Sequence, residues 1–207
     1  MLEPPGARPV PSTAARAARP TPDTPRAGWV ALGACTLAIL LAAGARFAFA
    51  AFVRPIELDL GASRGLLSAA AAANLLAYGV AQPAVARLAT RLDPARIMVA
   101  GLALMALGGV GAAVTTDALY LIVFYGLLPG AGFAAASVVP ATALLVPWFP
   151  ARPGLALGIA SAAIPAGQAL FVPLTTALIP LLGWRATYVL VGLLALGLGG
   201  PALLAAR

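Results

Sequence analysis

Long apolar stretches separated by short polar punctuation dominate this chain. Between Trp29 and Ala206 there are 12 charged residues, and 11 of them fall in brief clusters between the stretches. Six stretches are long enough, at about 1.5 Å of rise per residue, to cross a hydrocarbon layer about 30 Å thick. They cover about 28–53, 66–86, 97–115, 118–146, 152–180 and 185–206. Clearing charge over such lengths is unnecessary for a soluble core and obligatory in a bilayer. The pattern predicts an all-α integral membrane protein with six transmembrane helices.

The punctuation places the connections. Residues 54–65 contain Arg54, Glu57, Asp59 and Arg64, and residues 87–96 contain Arg87, Arg91, Asp93 and Arg96. A tight turn is expected at Thr116–Asp117, and Pro147, Pro150 and Pro153 break the chain before the fifth stretch. Gly183-Trp184-Arg185 marks the last connection, its Trp suited to a membrane interface. Residues 1–27 are rich in Pro, Ala and Arg and have no apolar run of signal-peptide type, so they read as a disordered tail. The remainder, 28–207, reads as one transmembrane domain. Nine Arg residues fall in the tail, the 87–96 and 147–153 loops and the C-terminus, against three, Arg54, Arg64 and Arg185, in the opposite loops. The excess places both termini in the cytoplasm of a multi-pass protein of the cell (inner or plasma) membrane.

Composition narrows the chemistry. All 13 basic residues are Arg and the net charge is +7, yet they sit in the tail and at span ends, so nucleic acid is not an expected partner. There is no His, and the single Cys35 excludes an intramolecular disulfide and a thiolate cluster. No stretch contains a carboxylate to act as a general base. The expectation is a non-enzyme without metal or cofactor.

The polar residues inside the stretches are the candidates for function. Asn74, Tyr78 and Gln82 follow one another at intervals of four; at about 100° per residue they drift only about 80° and form one stripe. Ser161, Gln168 and Thr175 recur at intervals of seven on the fifth stretch. Hydrogen bonding between helices accounts for such residues singly. Two aligned stripes together point to a solute pathway lined by both. Arg46 is the one charge within a stretch. Either it runs out to the outer interface, or it attracts an anionic substrate group beside Asn74 or Tyr78, its planar fork matching a carboxylate. Pro129, Pro140, Pro165 and Pro173 each remove a helical hydrogen bond, which neighbouring protein or water must make good. The pairs Gly126 and Gly130, and Gly154 and Gly158, permit close helix contact or hinge motion. Finally, the run Gly101–Gly109 resembles the run Gly192–Gly200, with Arg96 and Arg185 before them. That fits a three-plus-three inverted repeat.

The stretch Trp148-Phe149-Pro150-Ala151-Arg152-Pro153-Gly154-Leu155-Ala156-Leu157-Gly158-Ile159-Ala160-Ser161 resembles the entry to the fifth helix of the major facilitator superfamily, in its monocarboxylate and oxalate/formate exchanger branch. Gln168, Pro173 and Gly183-Trp184-Arg185 follow at similar spacing; Gly44-Ala45-Arg46, Gly61-Ala62-Ser63-Arg64 and Tyr78-Gly79-Val80-Ala81-Gln82-Pro83 are also similar. The resemblance covers 28–207 and implies the N-terminal six-helix half of a secondary transporter for a small organic anion such as a monocarboxylate. Arg46, Asn74, Tyr78, Gln82 and Gln168 would line its route. The loop that resembles the family's gating motif is degenerate. Arg91, Pro94 and Arg96 keep the pattern, whereas Ala86, Thr90, Asp93 and Ala95 depart from it beside Arg87. The family places two six-helix halves around its site, so a second half is expected as a partner, from a homodimer or a separate chain. The other expectation is a truncated or non-transporting membrane protein that pairs with another chain.

Overall fold

A computed structural model describes residues 25–206. The expected tail lies, up to residue 24, outside the described residues, and residues 25–27 open the first helix.

That helix, α1 (Pro25–Phe47), passes through a one-residue joint at Ala48 into α2 (Phe49–Leu60). The rod therefore runs past the 28–53 read from the sequence. Charge ends an apolar stretch without ending a helix, because here the charges pair along and beside it. Glu57 lies 3.7 Å from Arg54 on the same helix and 3.0 Å from Arg64 beyond it. Gly61, at φ 61°, turns the chain out of α2 as the left-handed residue that commonly follows a helix end. Ser63 then caps α3 (Arg64–Ala89), its hydroxyl accepting from the Leu66 N–H at 3.2 Å. Asp93 caps α4 (Pro94–Val114) through the Ala95 N–H at 2.9 Å, with Pro94 at the position that needs no donor.

The fourth apolar stretch is not one uniform helix. A short 3₁₀ turn at Ala118–Tyr120 leads into a π-helical turn at Ile122–Leu127, then α5 (Leu128–Ala135) and α6 (Val138–Leu145). The two prolines fall at the starts of α5 and α6, so neither interrupts the helix that follows it. Ser137 caps α6, accepting from the Val139 N–H at 3.3 Å while donating to the Ala134 carbonyl at 2.7 Å.

The last element, α7 (Pro153–Ala205), has 53 residues. A straight helix of that length would reach about 80 Å, well over twice the hydrocarbon thickness. It reverses at Gly183, whose φ of 77° and ψ of 159° are non-helical. The packing shows the reversal. Gly167 before the break abuts Leu40 and Gly44, and Gly199 after it abuts Ala38. Two sites 32 residues apart thus meet the same short part of α1. The Gly183 backbone lies in a region that is essentially restricted to glycine and costs side-chain-bearing residues about 1–3 kcal/mol. Gly183→Ala is expected to lower the thermal midpoint in detergent, whereas Gly197→Ala, helical and facing open space, leaves it unchanged or raises it. An unaltered midpoint for Gly183→Ala would show that the reversal does not depend on this residue.

Among the described residues, five helical segments are long and apolar enough to cross a membrane: Arg26–Leu60, Arg64–Ala89, Pro94–Val114, Ala118–Trp148 and Pro153–Ala205. Lipid tails are as apolar as leucine, so what holds such helices together is close packing of small residues. Along α1, Ala31, Cys35, Ala38, Ala42 and Ala45 are buried at alternating spacings of four and three, on the face where Ala38 meets Gly199 of the second limb of α7. The first limb buries Ala156, Ala160, Ala163 and Gly167, and Gly167 meets α1 at Leu40 and Gly44; with both limbs of α7 counted, α1 and α7 form the most extensive helix pair in the bundle.

Candidate functional site

Arg46 ends α1 where the bundle is deepest in aromatic residues. It turns inward. Its Nε donates to Asn74 Oδ1 at 2.7 Å, and its guanidinium carbon lies 4.8 Å from the ring centres of both Tyr78 and Phe133. Asn74 on α3 is 2% exposed. Its amide nitrogen donates to the carbonyls of Tyr125, at 3.0 Å, and Gly126, at 3.4 Å. The cause lies in the sequence. Pro129 has no N–H to offer the carbonyl four residues earlier, that of Tyr125, and the Asn74 amide donates to it in place of the α-helical bond. Gly126 and Gly130 bring the segments close enough: a Cβ at Gly130 would lie 2.5 Å from the Asn74 carbonyl oxygen. Asn74 therefore links an irregular turn to a cation, using both ends of its amide.

The electrostatics of Arg46 are unusual. The side chain is only partly exposed, and among the described residues no carboxylate pairs with it and its two terminal nitrogens have no hydrogen-bond partner. Faces of aromatic rings compensate a guanidinium by about 0.5–2 kcal/mol, far less than an anion in low dielectric. Beside Arg46 is a hollow of about 10 Å³, room for about one water, edged by Tyr125 and Tyr188. Tyr125 stacks on Phe49 at 3.5 Å between ring centres, and Phe52 meets Tyr188 edge-on at 4.9 Å. The arrangement is a cation with free donors in an aromatic chamber, closed around a water-sized space.

The other sequence candidates divide. Tyr78 joins Arg46 as described. Gln82 is half-buried with its Oε1 enclosed and without a partner. Gln168 points away from the chamber and is exposed on the outer surface of α7. Its stripe does not hold together: Ser161 is half-buried, while Thr175 is fully buried and donates back to the Phe171 carbonyl at 2.7 Å. Gly126 and Gly130 are packing glycines, but Gly154 and Gly158 face open space. Tyr125, Phe133 and Tyr188 went unnoticed in the sequence. The signal was available for the two tyrosines, since a phenol in the middle of an apolar stretch is as polar as the Tyr78 that was noticed.

The two ends of the bundle are built differently. At one, Asp59 accepts from Trp184 Nε1 at 3.1 Å and pairs with Arg185, whose other nitrogen donates to the Thr115 carbonyl at 3.2 Å. At the other, Thr90 caps α3 through the Arg87 carbonyl at 2.8 Å, Arg87 and Arg91 are exposed, and Arg96 lies 3.9 Å from Asp93.

Residues 35–206 match the Major Facilitator Superfamily. The chain belongs to that superfamily. It is a multi-pass membrane protein of a family of transporters, not enzymes. It is 32% identical over 166 residues to monocarboxylate transporter 3 of Mus musculus, a match covering 80% of this chain and 33% of that protein. It is 34% identical over 118 residues to monocarboxylate transporter 11 of Homo sapiens, covering 57% of this chain and 25% of the relative. A bacterial relative, the uncharacterized MFS-type transporter YcxA of Bacillus subtilis (strain 168), is 27% identical over 148 residues, covering 72% of this chain and 36% of its own length. The chain thus matches about a third or less of the length of these relatives.

Proposed function

We propose that this superfamily member takes part in transport of a small organic anion, with a monocarboxylate as the substrate class, and that Arg46 is the group that attracts the charge. One observation carries the reading: an inward-facing guanidinium that has, among the described residues, no counter-ion and no hydrogen-bond partner for Nη1 and Nη2. A carboxylate supplies the missing charge and accepts two parallel hydrogen bonds. Tyr78, Tyr125 and Tyr188 then flank the bound anion, and Asn74 holds Arg46 in aim. The 10 Å³ hollow is too small for an organic acid, so this arrangement is a closed one and loading requires the helices to part. The reading is tested with the purified chain by microscale binding of labelled lactate against its neutral amide. Saturable binding of the acid alone supports it; equal binding of both, or of neither, overturns it.

The architecture belongs to the same proposal. Counting the two limbs of α7 separately gives six crossings, both termini on the cytoplasmic side of the cell membrane, in a three-plus-three repeat. Supporting the repeat, Gly101, Gly108 and Gly109 are buried as are Gly192, Gly199 and Gly200 in the matching run. A second six-helix unit completes the pathway. The exposed Gln168 favours it: an amide facing hydrocarbon leaves its polar atoms unsatisfied, and about three to four turns earlier on the same helix Gly154 and Gly158 offer a surface without side chains for close approach. Arg87, Thr90, Arg91, Asp93 and Arg96 then form the cytoplasmic loop that such motion displaces.

A further inference from the structure

A large opening in the bundle lies away from Arg46. Helices α3 and α4, joined at the Arg-rich end by residues 90–93, both pack extensively on α5 but touch each other little, which leaves a groove between them. The groove between them has a volume of about 600 Å³, within the range of about 300–1,000 Å³ typical of small-molecule sites. Its walls are Leu88, Leu92, Ile97 and Leu104, and its floor is Ala131 and Ala135. Arg96 and Asp93 stand at its mouth. The Arg96 side chain is 72% exposed and its ion pair to Asp93 is 3.9 Å long; Arg91 and Arg87 are exposed in the same connection.

From these features we infer that the groove is a binding site for an anionic phospholipid, one acyl chain lying between α3 and α4 and the phosphate headgroup resting on Arg96 and Arg91. The inference is independent of what the chamber at Arg46 carries. Water gains too few hydrogen bonds from such walls to fill the space. In a bilayer the available filler is a lipid tail, and the groove is lined from the span-end residues Leu92 and Arg96 to Leu104 and Ala131 within the bundle. Charge selects which lipid. Arg96 lines the mouth and Arg87 and Arg91 are exposed in the same connection, so three guanidinium groups against one carboxylate give this end of the groove a positive balance; basic pockets between transmembrane helices are the recognised seats of anionic headgroups. A planar guanidinium also meets two phosphate oxygens at once.

The test uses the purified chain in nanodiscs of phosphatidylcholine with a minor share of phosphatidylglycerol, each lipid in turn carrying a photoactivatable diazirine on its acyl chain. Mass spectrometry maps the labelled residues. The phosphatidylglycerol probe is expected to concentrate on Leu88, Leu92 and Leu104, at least about fivefold over the phosphatidylcholine probe, and unlabelled phosphatidylglycerol should displace it. One basic residue is worth about 1 kcal/mol of attraction, or about fivefold, so Arg91→Gln with Arg96→Gln should abolish the preference. Ala100→Trp fills the groove while both arginines remain, and it should remove the label as well. Neither change touches the buried core, and retained burial of Cys35 reports that each variant is folded. Equal labelling by the two probes, a preference that survives the double substitution, or protection of the groove by another protein chain would each overturn the assignment.

Discussion

Gly167→Leu is expected to unfold this bundle more readily than any comparable change on its surface. A Cβ at position 167 would overlap the Leu40 carbonyl oxygen and lie 3.0 Å from the Gly44 nitrogen. Both are backbone atoms, so no rotamer change relieves the clash and the helices themselves must separate. Overpacking costs about 1–3 kcal/mol where side chains can yield, and this case falls at or beyond the upper end. For a chain of this size 3 kcal/mol corresponds to a fall of roughly 6–12 °C in the thermal midpoint. The protein carries its own reporter. Cys35, the single cysteine, is fully buried in α1, so a fluorogenic maleimide reacts only when the bundle opens around that helix. Gly154→Leu is the control, because a side chain there meets nothing within 4 Å. If the two variants melt together, the seam between α1 and α7 does not hold the fold.

Arg46→Ala is expected to weaken anion recognition by a factor of about a hundred or more. A hydrogen bond to a charged group contributes about 1.5–3 kcal/mol, and two are formed by a forked donor. Arg46→Lys keeps the charge but loses the fork and the flat contact with Tyr78 and Phe133, so an intermediate loss is expected. Binding of labelled lactate to the purified chain is again the measurement, with Cys35 reactivity run in parallel. That pairing matters, since removing Arg46 also strips Asn74 Oδ1 of its donor at a cost of about 1–3 kcal/mol in stability. A purely structural Arg46 would lower the midpoint and leave affinity intact. Affinity unchanged in Arg46→Ala would end the proposed role.

What could be read from the sequence divides along physical lines. Caps were legible, because they are made by neighbours: Ser63 and the Asp93-Pro94 pair each act within three residues of themselves. The membrane character was legible because cleared charge is a property of composition. The true end of the first rod was not, since Glu57 makes two ion pairs that let a charged segment stay helical to Leu60. Nor was the task of Asn74. Its stripe with Tyr78 was visible, but its partners, the carbonyls of Tyr125 and Gly126, lie about fifty residues away and become available through an irregular turn before Pro129. Gln168 shows the opposite failure. Spacing of seven placed it in line with Ser161 and Thr175, yet the small-residue seam through Gly167 rotates it outward.

Asp59 brings one last consequence. A single carboxylate gathers Trp184 and Arg185, and through Arg185 the end of α4, into one knot with the tip of α2. Three rods tied at the same tip cannot spread there one at a time. They tilt as a sheaf bound at one end, and any spreading of these three is greatest toward their opposite ends.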